Sequence, residues 1–217
     1  MNLTTAFRLE SIPRVALVGG GGKTTALFAL AHEFPASVVL TATAHMAVAQ
    51  VALADQHFVV TTPAELAAFE GGLPRGVTFF TGPDDDTGKT IGLTPDTARA
   101  VNELADRHHA PLFIEADGSK CLPLKAPADH EPPIPDFVDI VIVVAGLSGL
   151  GRPLTAAHVH RVERYARLSG LAPETPITPE AVAKVLRDPA GGLKNVPAAA
   201  RRIALLNQAD TPELQSQ

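Results

Sequence analysis

Short apolar runs alternate along the chain with stretches whose apolar residues recur every three to four positions, the pattern of βαβ units with parallel strands. Arg14 to Val18 reads as the first strand. After a glycine run, Lys23 to His32 carries Ala26, Leu27, Leu30 and Ala31 at helical spacing until Pro35 closes it. Ser37 to Leu40, Phe58 to Val60 and Gly76 to Phe80 are further strands, and Thr62-Pro63 with Glu65 is a helix start. From Gly82 to Leu93 the run containing Pro83, Asp84, Asp85, Asp86 and Gly88 predicts a mobile surface segment or a hairpin tip. Thr94-Pro95 opens a helix to about His108, and Pro111 to Ala116 is a fully buried strand. A Pro-rich passage, Leu122 to Pro135, leads into the β-branched strand Val138 to Ala145. Thr155 to Gly170 is expected to be helical, Thr178-Pro179 starts another helix, and Arg201 to Leu206 is the last strand. Eleven residues follow, so the chain reads as cut short after that strand or completed by a partner that covers it.

The length of 217 residues suits one domain spanning 1–217, and nine Phe with one Tyr and no Trp leave the core to smaller aliphatic side chains. That composition fits a helix-covered parallel sheet. Eighteen Lys and Arg against 23 Asp and Glu give a net charge of −5, with no basic surplus for nucleic acid or an anionic membrane. Phe34 to Ala54 lacks charged residues, but Pro35, Ser37, Thr41, Thr43, His45 and Gln50 interrupt what a membrane span needs. A lone Cys121 and no apolar leader point to a cytoplasmic protein without an internal disulfide.

The densest chemistry lies in Val15-Ala-Leu-Val-Gly19-Gly20-Gly21-Gly22-Lys23-Thr24-Thr25, a strand running through glycines into a helix. Glycines let backbone N–H groups converge on an anion, and the helix N-terminus adds its dipole. Lys23 can then bridge β- and γ-phosphates while Thr24 ligates Mg²⁺. The usual G-x-x-x-x-G-K-[ST] spacing would require glycine where Leu17 stands, so this is a shorter G-x-x-G-K-T-T form. The expected fold is therefore α/β and P-loop NTPase-like, a mostly parallel sheet flanked by helices in three layers, binding ATP or GTP with Mg²⁺.

Such a site needs a carboxylate at a neighbouring strand end, and Glu115 and Asp117 compete for that metal-holding role. Thr41, Thr43 and His45 leave the second strand at the same edge and could face the γ-phosphate. Asn207 and Asp210, three apart after the last strand, echo the N-K-x-D element that holds guanine, with Gln208 in place of Lys. His32, His57, His108 and His109 sit in surface-like contexts without zinc-ligand spacing.

With Gly19 to Thr25, Thr41-Ala-Thr-Ala-His45 and Glu115-Ala-Asp-Gly-Ser-Lys-Cys-Leu-Pro-Leu-Lys-Ala-Pro127 taken together, the chain resembles the YqeC family, accessory proteins of selenium-dependent molybdenum hydroxylases. Asp129-His-Glu-Pro132, Gly146 to Pro153, Val159-His-Arg161 and Leu206 to Asp210 extend the resemblance over nearly the whole length. It implies a cytoplasmic P-loop protein, an NTPase whose partner is a molybdenum hydroxylase or a molybdenum-cofactor maturation protein. Lys120, Lys125, His130, Arg152, His160 and Arg161 in those segments supply cations and proton-transferring groups for a γ-phosphate or a second anionic substrate. Lys23, Glu115, Asp117, His45, Lys125 and Arg161 are the expected catalytic set. A Mur-ligase-like enzyme that activates a carboxylate, and a nucleotide switch using Asp84 to Asp86 as a contact surface, are the competing readings. The sequence leaves the oligomeric state open.

Overall fold

Alternation by twos decides the architecture: Val15 and Leu17 of the first strand pack on one side, Ala16 and Val18 on the other, and all four are buried. Both faces of the sheet must therefore be covered. The computed structural model of the chain describes residues 2–9 and 12–216. Its elements are α1 (Leu3–Ala6), β1 (Arg14–Gly19), α2 (Lys23–His32), β2 (Val38–Ala42), β3 (Met46–Ala47), α3 (Val48–Val51) and β4 (Gln56–Val59). A 3₁₀ turn (Pro63–Phe69) leads to β5 (Val77–Thr81), β6 (Lys89–Thr90), α4 (Pro95–Arg107), β7 (Leu112–Glu115), β8 (Leu124–Lys125) and β9 (Ile140–Gly146). Then come a short 3₁₀ turn (Leu147–Gly149), β10 (Val159–His160), α5 (Val162–Ser169), α6 (Pro179–Arg187), β11 (Arg201–Asn207) and α7 (Pro212–Gln215).

Seven strands form one parallel sheet in the order β11-β9-β1-β7-β2-β5-β4. One apolar cluster joins the sheet to α2, with Leu27 and Leu30 fully buried. On the opposite face α4 contributes Val101 and Leu104 to a second cluster. The result is the three-layer α/β/α arrangement of a P-loop NTPase-like fold. A third cluster gathers Leu124, Val159, Tyr165 and Val182, packing α5, α6 and the β8–β10 pair against Ala145 at the end of β9.

Thr94 caps α4 by accepting from the Thr97 N–H at 3.2 Å, and Pro95 sits where its missing N–H is harmless. Of three further sequence expectations, two need correction. Thr155 to Gly170 is helical only from Val162 to Ser169, because Val159 and His160 instead pair with Leu124 and Lys125. Gly82 to Leu93 forms the hairpin tip, one of its two expected forms: Asp84 bridges antiparallel to Thr90, the Asp85 N–H donates to Lys89 O, and β6 pairs antiparallel with β3. The start at Thr62-Pro63 yields a 3₁₀ turn. At the sheet edge, β11 buries Ile203 and Leu205 only partly and exposes Ala204 and Leu206.

No helix among the described residues is long and apolar enough to cross a membrane.

Candidate functional site

Register brings the chemistry to one edge of the sheet. Leu17 of β1 pairs with Glu115 of β7, Ala42 of β2 with the same Glu115, Gly19 with Val144, and Asn207 of β11 with Gly146. The carboxyl ends of five strands thus converge where β1 passes into α2, the position at which doubly wound sheets bind ligands.

The glycine loop turns there because its backbone is left-handed at Gly19, Gly21 and Gly22 (φ +99°, +81° and +102°). A Cβ on Gly21 would lie 2.4 Å from backbone atoms of Gly146, so the loop also needs glycine for close approach. The N–H groups of Gly20 and Gly21 are occupied, donating to Val144 O at 2.9 Å and Leu122 O at 3.0 Å. Among the described residues, the N–H groups of Gly22, Lys23, Thr24 and Thr25 have no backbone acceptor, which leaves four donors at the N-terminus of α2.

Thr24 donates its hydroxyl to Glu115 Oε2 at 2.8 Å and accepts from Gln50 Nε2 at 3.2 Å. Lys23 is buried, its ammonium donating to Gly19 O at 2.7 Å and lying 3.2 Å from Asp117 and 4.0 Å from Glu115. The two acids that compete in the sequence occupy different places. Burial raises the Glu115 carboxyl above its ordinary value, only partly opposed by Lys23 and the Thr24 hydrogen bond. Asp117 instead faces back into the loop, accepting from Gly19 N at 3.0 and 3.1 Å and pairing with Lys125 at 2.8 Å.

Beyond Asp117 the charges alternate. Lys125 also pairs with Glu131 at 2.8 Å, and Glu131 with Arg161 at 2.6 Å. Burial would raise Glu131, but hydrogen bonds from Lys125 and Arg161 hold it at about 2. Two cations and two carboxylates compensate one another in partial burial, which an isolated charge could not tolerate.

A cleft of about 600 Å³, within the range of small-molecule sites, is lined by Glu131 from this network, while Asp117, Lys125 and Arg161 do not line it. Lys23, Thr24 and Thr25 line one wall, and Glu115, Lys120 and His160 are among the residues lining the rest. His45 is exposed and lines the cleft, as do Lys89 of β6 and Gln50 of α3.

Several expected residues lie elsewhere. Thr41 is fully buried and donates to Phe80 O at 2.9 Å, and Thr43 donates to Pro133 O at 2.9 Å. Asn207 supports the loop, its amide donating to Gly21 O at 2.9 Å, while Asp210 is exposed and apart from the cleft. His130 and Arg152 are exposed and do not line it. Cys121 is exposed on the cleft wall. Two participants carried little signal in the sequence: Glu131 stood inside Asp129-His-Glu-Pro132 without a role, and Gln50 was visible only as a polar interruption. Long-range pairing alone reveals them.

Among the described residues no cluster of three or more His, Cys, Asp or Glu could hold a metal ion. The hard oxygen donors of Thr24 and Glu115 nevertheless fit Mg²⁺, which takes one or two protein ligands and fills its shell with water and phosphate oxygens.

No solved structure matches the chain. The chain is 36% identical over 202 residues to the uncharacterized protein YqeC of Escherichia coli (strain K12), an alignment covering 89% of this chain and 75% of that protein. The family model described as YqeC protein matches residues 15–163. With the model matched over more than half its length, the chain belongs to the YqeC family.

Proposed function

We propose that the chain binds ATP or GTP with Mg²⁺ and hydrolyses it in the maturation of a molybdenum hydroxylase or its cofactor. The observation that carries the nucleotide reading is the Thr24–Glu115 hydrogen bond of 2.8 Å beside four unoccupied N–H donors at the N-terminus of α2. The link to a selenium-dependent hydroxylase rests on the family resemblance.

The amides of Gly22 to Thr25 receive the polyphosphate, and the dipole of α2 favours its charge. Lys23 exchanges its contacts to Gly19 O and Asp117 for phosphate oxygens. Asp117 loses little by that exchange, since it keeps Gly19 N–H and Lys125. Mg²⁺, when bound, supplies neutralisation of the charge on the β- and γ-oxygens. Thr24 and Glu115 are the residues that would hold it, and Gln50 fixes the Thr24 hydroxyl in that orientation. His45 lines the cleft where it can meet the far side of the γ-phosphate.

Calorimetric titration of ATP, GTP and CTP with and without Mg²⁺, with Lys23→Ala as control, tests this reading. Mg²⁺-dependent binding of one nucleotide, lost in the variant, is the expected result. Wild-type protein that binds none of the three overturns it.

A second reading, a nucleotide switch, draws support from the β3–β6 pair, which ties cleft residues His45 and Lys89 to the acidic tip Asp84 to Asp86. Slow turnover with nucleotide-dependent client binding would favour it over a rapid NTPase.

A further inference from the structure

The cleft has a second half whose lining comes from outside the glycine loop. Its wall is built from Gly118 to Cys121 and from His160. Lys120 and Cys121 are held in the left-handed region (φ +53° and +60°), as is Arg161 immediately after His160 (φ +64°). Residues with side chains take up that conformation at an energetic penalty, and such strain concentrates at ligand-binding positions.

The charges on this wall are not all satisfied. Lys125 and Arg161 are committed to Asp117 and Glu131, whereas Lys120, among the described residues, pairs with no carboxylate and projects from an exposed position. His160 makes no side-chain hydrogen bond among the described residues. Burial lowers its pKa to about 4, with Arg161 and Lys125 adding to the effect, so the ring is neutral at pH 7. It presents one N–H and one free lone pair to the cleft. Glu131, the carboxylate whose charge reaches His160, is already filled by Lys125, Arg161 and the Ala128 N–H, so it offers an incoming anion little repulsion.

We propose that this half of the cleft is a second subsite, separate from the glycine loop, for a small anionic phosphoryl acceptor, with Lys120 as its anchor and His160 as the group that takes its proton. The assignment rests on the nucleotide reading of the loop. In the transfer, an acceptor oxygen bearing hydrogen attacks the γ-phosphorus and a new O–P bond forms. The bond from phosphorus to the β,γ-bridging oxygen breaks, its electron pair leaving with the nucleoside diphosphate. The acceptor's proton goes to the free ring nitrogen of His160. Bringing two anions together requires the local positive charge that Lys120 and Lys23 provide.

The test saturates the loop with Mg²⁺ and the β,γ-imido analogue of the bound nucleotide, then titrates inorganic phosphate by calorimetry. We expect one phosphate per chain. Lys120→Ala and His160→Asn should each weaken it at least fivefold while analogue affinity stays within twofold, and Lys120→Arg should restore it. Phosphate that binds only when the analogue is absent, or that binds undiminished to both variants, overturns the subsite. If the analogue itself fails to bind, the nucleotide reading falls instead. The subsite is then judged in Lys23→Ala protein, where phosphate binding that is insensitive to Lys120→Ala removes it.

Discussion

Asp117 shows how one buried side chain can organise a whole loop. Only 2% exposed, it accepts from Gly19 N–H and pairs with both Lys23 and Lys125, so the loop's backbone, its lysine and the neighbouring charge network are tied at a single carboxylate. Asn207 acts similarly from β11, where its amide supports Gly21 O rather than projecting toward a base. Asn207→Ala should therefore weaken ATP and GTP binding by the same factor, about three- to tenfold, equivalent to roughly one hydrogen bond. Calorimetric affinities that fall for GTP alone would instead make Asn207 a reader of guanine. Glu131→Gln removes the charge that Lys125 and Arg161 share, and because Glu131 is only half-buried the expected loss is about 1–3 kcal/mol. Chemical denaturation of Glu131→Gln, Arg161→Gln and the double variant should show non-additive losses, since the second change removes a cation the first has already orphaned.

Among the elements, the turn from β1 into α2 is the least tolerant of change. Gly21 combines φ +81° with backbone atoms 2.4 Å from where a Cβ would sit, so Gly21→Ala should cost about 2 kcal/mol or more and lower the Tm by roughly 4–8 °C. A melt within 1 °C of wild type would mean that the loop moves away from Gly146. This turn was fully legible, as were α2, with both its ends, and the Thr94-Pro95 cap of α4, because glycines, caps and apolar periodicity act over a few residues. The two-residue strands were not. β8 and β10 carry no periodic signal of their own and exist because Leu124 and Val159 are drawn into one apolar cluster. The same competition made the helix expected across Thr155 to Gly170 begin seven residues late, at Val162, and gave His160 of β10 to the cleft wall.

For the molecule as a whole, the buried titratable groups set an acid limit on stability. His160 has a folded pKa of about 4 against an ordinary 6.5, so the unfolded chain takes up the proton first. Its contribution is complete above about pH 6.5 and is lost as the pH falls toward 4. Glu131, at about 2 against an ordinary 4.5, favours folding above about pH 4.5 and loses that contribution as the pH falls toward 2. Urea midpoints measured from pH 7.5 to 4 should fall for wild type and fall less for His160→Asn; parallel curves would show that the imidazole is not held neutral by its surroundings.

The sequence by itself determined the parallel α/β sheet, the glycine loop with Lys23 and Thr24, and the presence of acids at the end of β7, because each follows from contacts among near neighbours. Only the tertiary structure separated Glu115 from Asp117, turned Thr41 into the sheet, and placed Glu131, Gln50 and His160 around one cleft. Those outcomes depend on strand order and register across long separations, as in the Thr24–Glu115 bond between residues 91 apart, and no local preference encodes which distant side chain will complete a buried charge.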